Sequence, residues 1–147
     1  MLYVDTSIIV KLYIKEAYSL EASNWLKKNN EPIPLTGFHE LEFTNALYLK
    51  QFRSEINLDE RRFILSKFDE HEKKGVFYRP GLDWPEIFFK AMDLSKKHTA
   101  DIGSRTLDIL HVASALSIRA ERFLTFDDRQ SELASIAGLK IVKITPY

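Results

Sequence analysis

Short β-type runs alternate with longer helical patterns along the chain, and this alternation constrains the fold more than any other feature. It is typical of parallel strands joined by helices that cover the faces of a sheet. The predicted strands are Leu2 to Val4, Ile33 to Thr36, Val76 to Tyr78, Phe123 to Thr125 and Ile141 to Ile144. We therefore expect an α/β domain of the βαβ type, with one extra helical excursion between the second and third strands.

Capping residues and hydrophobic periodicity predict seven helices. Asn57 with Glu60 three residues later resembles a capping pair, Pro85 stands near a helix start, and Gly138 follows the last helix. The expected spans are Thr6 or Ser7 to about Ile14, Ser19 to Asn29, Gly37 to Arg53, Asn57 to about Lys74, Pro85 to about His98, Arg105 to Ala120 and Asp128 to Ala137.

Length and composition exclude several classes of protein. The 147 residues are enough to bury roughly 70% of the unfolded surface in one core, so we expect a single domain over residues 1–147. The absence of cysteine excludes disulfides, thiolate metal sites and cysteine nucleophiles. No apolar run reaches the ~20 residues that cross a bilayer, and the N-terminus lacks the basic start of a signal peptide. We expect a cytoplasmic protein without membrane association.

Two acidic residues follow predicted strands. Asp5 comes directly after the first strand, and Asp127 comes shortly after the fourth. In open parallel sheets, ligands bind beyond the carboxyl ends of the strands, where loops and helix N-termini meet. Asp5 and Asp127 are therefore candidate site residues, although each is also suited to cap a helix.

Two further acids lie on helix faces that the sequence predicts to be apolar. At 100° per residue, one face of the third helix carries Phe38, Leu41, Glu42, Asn45, Leu49 and Phe52, whereas Glu40 points away. Asp108 begins a helix that is apolar nearly all round. A buried carboxylate needs a cation, a set of donors or an opening to water. Taken singly, Glu42 is also suited to pair with a basic residue and Asp108 to the helix dipole.

Four carboxylates in one cleft would repel each other, and a divalent cation would resolve that conflict. Hard oxygen ligands suit Mg²⁺ or Mn²⁺, which often share carboxylates with a phosphate-bearing substrate. The formal net charge is zero, with 21 basic and 21 acidic residues, so any polyanion must be held by a local patch or by bound metal. This pattern indicates phosphate-ester chemistry.

Four segments carry these acids. They are YVDTS at the start, ELEFTNAL in the third helix, RTLDILHVASAL in the late helix and FLTFDDRQ after the fourth strand. In this order they resemble the PIN-domain family, and within it the VapC-type toxins of toxin–antitoxin pairs. The resemblance implies a three-layer α/β/α domain with a parallel sheet of about five strands. It also implies a metal-dependent ribonuclease specific for single-stranded RNA.

The resemblance assigns the acids one by one. Asp5, Glu42 and Asp108 match the first three carboxylates of the family. The fourth is Asp127 or its neighbour Asp128, and the TFD frame favours Asp127, with Asp128 as a helix N-terminal residue.

The resemblance also implies supporting groups and partners. Thr6, Ser7 and Thr125 resemble hydroxyls that orient the carboxylates or water. The family implies homodimers and an antitoxin that wraps and inhibits the nuclease.

Our mechanistic hypothesis is that Asp5, Asp108 and Asp127 hold one Mg²⁺ or Mn²⁺, while Glu42 contacts it through water or orients the attacking water. In-line attack by water would leave a 5′-phosphate and a 3′-hydroxyl. Whether one or two ions bind stays open. The basic residues beside the acidic segments, Lys11, Arg105 and Arg129, are candidate contacts to RNA phosphates.

Two other function classes stay open. One is a catalytically inactive PIN-like module that only binds RNA or protein. The other is a phosphoacceptor domain in which Asp5 or Asp127 is phosphorylated beside Mg²⁺, with Lys11 as a weak candidate for the lysine such a site needs. His111, three residues after Asp108, is expected to be a hydrogen-bonded buried or interface histidine rather than a metal ligand.

Overall fold

The computed structural model of the chain describes residues 1–144. Within this range it has five strands: β1 (Leu2–Val4), β2 (Ile33–Pro34), β3 (Phe77–Tyr78), β4 (Arg122–Leu124) and β5 (Lys140–Val142). The same range has seven helices: α1 (Thr6–Tyr13), α2 (Ser19–Asn29), α3 (Gly37–Phe52), α4 (Leu58–Lys73), α5 (Trp84–Ile102), α6 (Thr106–Ser117) and α7 (Asp128–Ile136). All the predicted strands and helices are confirmed, with ends that shift by a few residues at most. Among the described residues, no helix combines the length and apolar character needed to span a membrane.

The five strands pair in parallel, as the α/β interpretation requires, but the expected single sheet of about five strands is divided into two sheets. One has the order β1-β4-β5 and the other pairs β2 with β3. The N–H of Ile33 donates to the Val76 carbonyl at 2.9 Å, and the N–H of Leu35 donates to the Tyr78 carbonyl at 2.8 Å, so both face β3. The intervening residue faces the opposite edge, and because it is Pro34 it has no N–H to offer a further strand there.

Two compact units make up the described chain. The first contains Met1–Asp5 and Pro80–Lys143, and with them the three-stranded sheet. The second contains Thr6–Arg79 and Ile144, and with them the two-stranded sheet. The single domain expected over residues 1–147 stays a prediction, and its residues 145–147 lie outside the described range.

The first unit is built around β1 and α6. The three residues of β1 are almost fully buried, and α6 is buried continuously over residues 109–115. The helix that is apolar nearly all round in the sequence is therefore an interior helix. Val4 pairs with Leu124 in the sheet, so the chain leaves β1 and β4 at the same edge, at Asp5 and Thr125. The carboxyl ends of two adjacent strands thus bring these residues together.

In the second unit, the predicted buried face of α3 is wrong. The residues that are buried are His39, Phe43 and Leu47, whereas Leu41 is 68% and Phe52 85% exposed. The helix carries apolar residues on more than one face, so periodicity alone cannot set its rotation. Its cap sets it instead: the Thr36 hydroxyl accepts the backbone N–H of His39, and the His39 ring accepts the N–H of Thr36, both at 3.1 Å.

Candidate active site

Asp5 lies at the carboxyl end of β1 in the first unit. Its N–H donates to the Leu124 carbonyl at 3.0 Å, which continues the β1–β4 ladder by one residue. One carboxylate oxygen, Oδ1, lies 3.4 Å from Nε2 of His111, and the side chain is 14% exposed. His111 Nδ1 in turn lies 2.9 Å from the hydroxyl of Tyr3. Asp5 is thus held beside a buried imidazole while keeping some access to solvent.

Asp108 lies in the first turn of α6. Arg105, the N-cap residue of this helix, donates from Nε to Asp108 Oδ2 at 2.7 Å and from Nη2 to Oδ1 at 3.4 Å. The Asp108 side chain is 13% exposed. A carboxylate covered to this extent requires a partner, and the Arg105 guanidinium supplies it.

Asp127 is the N-cap residue of α7, and its two carboxylate oxygens accept hydrogen bonds from different donors. Oδ1 accepts the N–H of Gln130 at 2.9 Å, and Oδ2 accepts Nη2 of Arg105 at 3.1 Å. The Asp127 N–H donates to the Thr125 hydroxyl at 3.0 Å, which fixes the loop between β4 and α7. Asp128 is the first residue of α7 and is exposed. It is therefore Asp127 whose carboxylate bonds to Arg105.

One guanidinium thus connects Asp108 with Asp127, from two separate segments of the first unit. The pKa of Arg105 is raised above its ordinary value, first by the hydrogen bond to Asp108 and by that carboxylate's charge, and further by the charges of Asp127 and Asp5. The positive charge of the Arg105 guanidinium is therefore stabilised by three carboxylates, those of Asp5, Asp108 and Asp127. The sequence predicted Arg105 as a contact to phosphate, and its role as the partner of two carboxylates was missed.

An open pocket of about 430 Å³ lies beside this cluster, lined by Arg105, Phe126, Asp127, Asp128 and Arg129. The Arg129 side chain is exposed, and its Nη1 lies 3.4 Å from the Gly103 carbonyl oxygen. Two guanidinium groups at the rim of one pocket can contact a polyanion.

Glu42 belongs to the second unit and is half-buried on α3. The hydroxyl of Thr6, the first residue of α1, donates to Glu42 Oε2 at 2.5 Å. Thr6 is itself 5% exposed, so this hydrogen bond is shielded from water. Its neighbour Ser7 is exposed.

Lys11, the third predicted phosphate contact, also lies in the second unit. It pairs with Glu16 at 3.1 Å, and its side chain is largely buried. Lys50 pairs with the other oxygen of Glu16 at 2.7 Å. An RNA contact by Lys11 stays a prediction, and it would compete with this ion pair.

The donors of the first unit fit a hard divalent cation in their chemistry. Asp108 and Asp127 direct carboxylate oxygens at one cationic group, as Mg²⁺ or Mn²⁺ ligands do. Over residues 1–144, however, no three Asp, Glu or His side chains are already grouped closely enough to enclose a metal ion. The Arg105 guanidinium bonds to both carboxylates, so an ion held by the same oxygens would take its place.

The contact of His111 with Asp5 and Tyr3 was not predicted in detail, although His111 was expected to be buried and hydrogen-bonded. Tyr3 and Asp5 are two residues apart on either side of Val4, and this spacing places alternate side chains on one face of an extended chain. This spacing could have predicted that Tyr3 and Asp5 contact the same neighbouring side chain.

Comparison with known proteins gives the following relatives. The family model described as PIN domain matches residues 2–136. Ribonuclease VapC46 of Mycobacterium tuberculosis (strain ATCC 25618 / H37Rv) is 27% identical over 143 residues, which cover 96% of this chain and 95% of that protein.

Two solved structures share the fold. The structure of FitAcB from Neisseria gonorrhoeae matches with a TM-score of 0.69 and 14% identity, covering 97% of both chains. The structure of VapBC2 from Rickettsia felis bound to a DNA fragment from the VapBC2 promoter matches with a TM-score of 0.66 and 16% identity. The match covers 97% of this chain and 98% of the matched chain. At such low identity these matches show the fold alone.

Proposed function

Because the chain belongs to the PIN domain family, we propose that it is a metal-dependent endoribonuclease that hydrolyses phosphodiester bonds of single-stranded RNA. The likeness to Ribonuclease VapC46 along nearly the full length of both proteins supports the reaction class. The observation that carries the proposal is that Arg105 donates to Asp108 at 2.7 Å and to Asp127 at 3.1 Å, so that two carboxylates from separate segments surround one cation. Asp5 belongs to the same unit, at the carboxyl end of β1, which pairs with β4. Carboxylate oxygens are the ligands that a hard divalent cation requires.

In this proposal, Asp5, Asp108 and Asp127 hold one Mg²⁺ or Mn²⁺. Held there, the ion would supply positive charge at the scissile phosphate and lower the pKa of a bound water. Thr125 accepts the backbone N–H of Asp127 and so fixes the loop that presents this carboxylate. Asp128 lies in the first turn of α7, where a negative charge is favourable at a helix N-terminus.

Glu42 is proposed as the fourth acid, which orients the attacking water and accepts its proton. Its support is the family-type segment ELEFTNAL and the short hydrogen bond from Thr6, which fixes the carboxylate. Thr6 directly follows Asp5 in the chain, and Ser7 comes next. With water as the nucleophile, the products carry a 5′-phosphate and a 3′-hydroxyl.

The proposed RNA contacts are Arg105 and Arg129 at the rim of the pocket, and Lys11 in the second unit. With zero net charge, the chain depends on such local cations to bind RNA phosphates. We also propose a cytoplasmic location, as the sequence leads us to expect.

The test is cleavage of single-stranded RNA with and without Mn²⁺ by wild type and by the variants Asp5→Asn, Asp108→Asn and Glu42→Gln. We expect each variant to lose at least ~100-fold in rate, since each removes a group that stabilises charge in the transition state. Matched controls are Asp93→Asn, an exposed acid paired with Lys97, and Glu40→Gln on the same helix as Glu42. Undiminished cleavage by the three site variants would place the chemistry elsewhere.

A catalytically inactive PIN-like binding module is the second candidate. The observation that favours it is that Arg105 already bonds to Asp108 and Asp127, while no three-acid group is preformed in residues 1–144. This candidate predicts that Mn²⁺ neither raises the melting temperature nor supports cleavage of any RNA.

We further propose that the protein is the toxin of a VapBC-type pair and that an antitoxin binds and inhibits it. The VapC-type segments and the likeness to Ribonuclease VapC46 over nearly the full length of both proteins support this role. The product of a small neighbouring gene should co-purify with the chain and abolish cleavage. If no such product binds, the toxin role fails while the nuclease proposal stands.

A homodimer is proposed through α3. One face of this helix exposes four apolar side chains, Leu41, Tyr48, Leu49 and Phe52. Contiguous exposed apolar surface favours association. Phe52→Ser should shift the molar mass measured by light scattering from dimer to monomer. The control is Phe63→Ser, which removes an exposed phenylalanine from α4 and should leave the dimer intact. A wild-type monomer would refute the dimer.

A further inference from the structure

The first unit contains a buried histidine that the proposed reaction does not use. His111 is 1% exposed, and each of its ring nitrogens faces a polar group. Nδ1 lies 2.9 Å from the Tyr3 hydroxyl, and Nε2 lies 3.4 Å from Asp5 Oδ1. Burying a polar ring of this kind is costly unless both nitrogens have partners.

These contacts are mutually compatible for only one neutral form of the ring. A neutral imidazole has one N–H donor and one acceptor nitrogen. The carboxylate of Asp5 can only accept, so the proton belongs on Nε2, and Nδ1 must then accept the hydroxyl proton of Tyr3. The direction of donation therefore runs from Tyr3 through His111 to Asp5.

The surroundings make this arrangement rigid. The Tyr3 ring is fully buried and stacks on Phe123 with ring centres 5.5 Å apart. The Asp5 backbone is tied to β4 by its bond to the Leu124 carbonyl. Because both ends are fixed, the imidazole can restrict the rotation of the Asp5 carboxylate.

We propose that His111 is a positioning residue that holds the Asp5 carboxylate in one orientation, with its ring held in place by the Tyr3 hydroxyl. The inference rests on the proposed function in that Asp5 is taken as a metal ligand. Partners behind the ligands of metal sites orient them, and their removal commonly weakens metal affinity by about 10- to 100-fold.

Tyr3→Phe is the most direct variant, because it removes the hydroxyl and keeps the ring that stacks on Phe123. The chain provides a matched control in Tyr13, whose hydroxyl lies 2.8 Å from Nδ1 of His71 in the second unit. Tyr13→Phe removes the same atom from the same kind of pair, and His71 has no ion pair with an acid among the described residues.

The first measurement is the tautomer of His111 in metal-free protein, from two-bond ¹⁵N–¹H correlation spectra at pH 7.5. His111→Gln identifies the signal. We expect the Nε2–H tautomer in wild type, in Tyr13→Phe and also in Tyr3→Phe, because the Asp5 carboxylate accepts from Nε2 in all three. An Nδ1–H or doubly protonated ring in wild type would overturn the proposal.

The second measurement is the Mn²⁺ dissociation constant by isothermal titration calorimetry. Losing one neutral hydrogen bond in Tyr3→Phe should raise it about threefold to tenfold. His111→Leu should raise it about 10- to 100-fold. In His111→Gln, an amide donor can replace Nε2–H and should restore part of the affinity. Melting curves show which variants are folded.

The outcomes separate this inference from the proposed function. If Tyr3→Phe and folded His111→Leu bind Mn²⁺ as wild type does, the positioning role is wrong while the metal site stands. If wild type binds no Mn²⁺, the proposed function fails, and the tautomer measurement still decides whether Nε2 of His111 carries the proton that faces Asp5. Equal weakening by Tyr3→Phe and Tyr13→Phe would also overturn the inference, since it would indicate a general loss of stability.

Discussion

Arg105→Gln tests how the three acids of the first unit share positive charge. The substitution removes the hydrogen bonds to Asp108 at 2.7 Å and to Asp127 at 3.1 Å. The Arg105 side chain is 68% exposed, so each ion pair contributes only about 0.2–1 kcal/mol to the free energy of unfolding. We expect a loss of stability of about 1 kcal/mol in the absence of metal.

The same substitution should tighten binding of Mn²⁺. An ion that binds Asp108 and Asp127 must displace the guanidinium, and that displacement costs about as much free energy as the two ion pairs contribute. Removing a cost of about 1 kcal/mol lowers the dissociation constant about fivefold. The assay is calorimetric titration of metal-free protein with MnCl₂ at fixed ionic strength. Binding is measured rather than cleavage because Arg105 is also a proposed RNA contact.

Arg129→Gln is the matched control. It removes the same charge from the same pocket, but the described bond of Arg129 is to the Gly103 carbonyl and not to a carboxylate. It should therefore tighten Mn²⁺ binding less than Arg105→Gln does. If the two variants change Mn²⁺ affinity equally, Arg105 acts only through its charge and not through its bonds to the two carboxylates. Weaker binding in Arg105→Gln would refute the reasoning, because it would show that the arginine assembles the site instead of competing for it.

Three further predictions concern other contacts. Asp127→Asn keeps a side-chain cap on α7 and should lose Mn²⁺ affinity but only the stability of the exposed ion pair with Arg105, about 0.2–1 kcal/mol, whereas Asp127→Ala should lose about 1 kcal/mol more in urea unfolding. Thr6→Val removes the donor to Glu42 and should slow RNA cleavage about tenfold at unchanged Mn²⁺ affinity, and an unchanged rate would contradict the proposed role. The hydrogen bond from Arg79 lowers the pKa of Glu40, so the pair stabilises the fold at neutral pH and this contribution is lost as the pH falls below about 4.5. Glu40→Gln should reduce the acid dependence of unfolding in that range, and an unaltered profile would count against the pair.

Local signals in the sequence predicted the order and type of the helices and strands. The capping box of Asn57 and Glu60 begins α4 as expected. Gly138 follows α7 with a φ of 95°, a conformation that glycine adopts without strain. Such features act within a few residues, so the sequence alone shows them.

Features that depend on the surroundings of an element were predicted less well. The rotation of α3 depends on which of its apolar faces meets the core, and the burial of His39 was not foreseen. The separation of the strands into two sheets depends on the pairing of β2, which Pro34 limits on one edge.

In the candidate site, too, local features were predicted and features that depend on tertiary contacts were not. The position of Asp5 after a strand follows from the local pattern, and β1 ends where it was expected. The bond from Arg105 to Asp127 could not be predicted, because it joins residues far apart in the sequence and depends on the packed first unit. The assignment of the acids to a metal site stays a prediction.

The most direct test of the central claim is a crystal structure of the protein grown with Mn²⁺ and recorded at a wavelength where manganese scatters anomalously. The account predicts an anomalous peak about 2.1–2.3 Å from carboxylate oxygens of Asp5, Asp108 and Asp127, with Arg105 turned away from Asp108. A structure with Mn²⁺ present in which Arg105 still bridges Asp108 and Asp127, and no peak lies beside these acids, would contradict it.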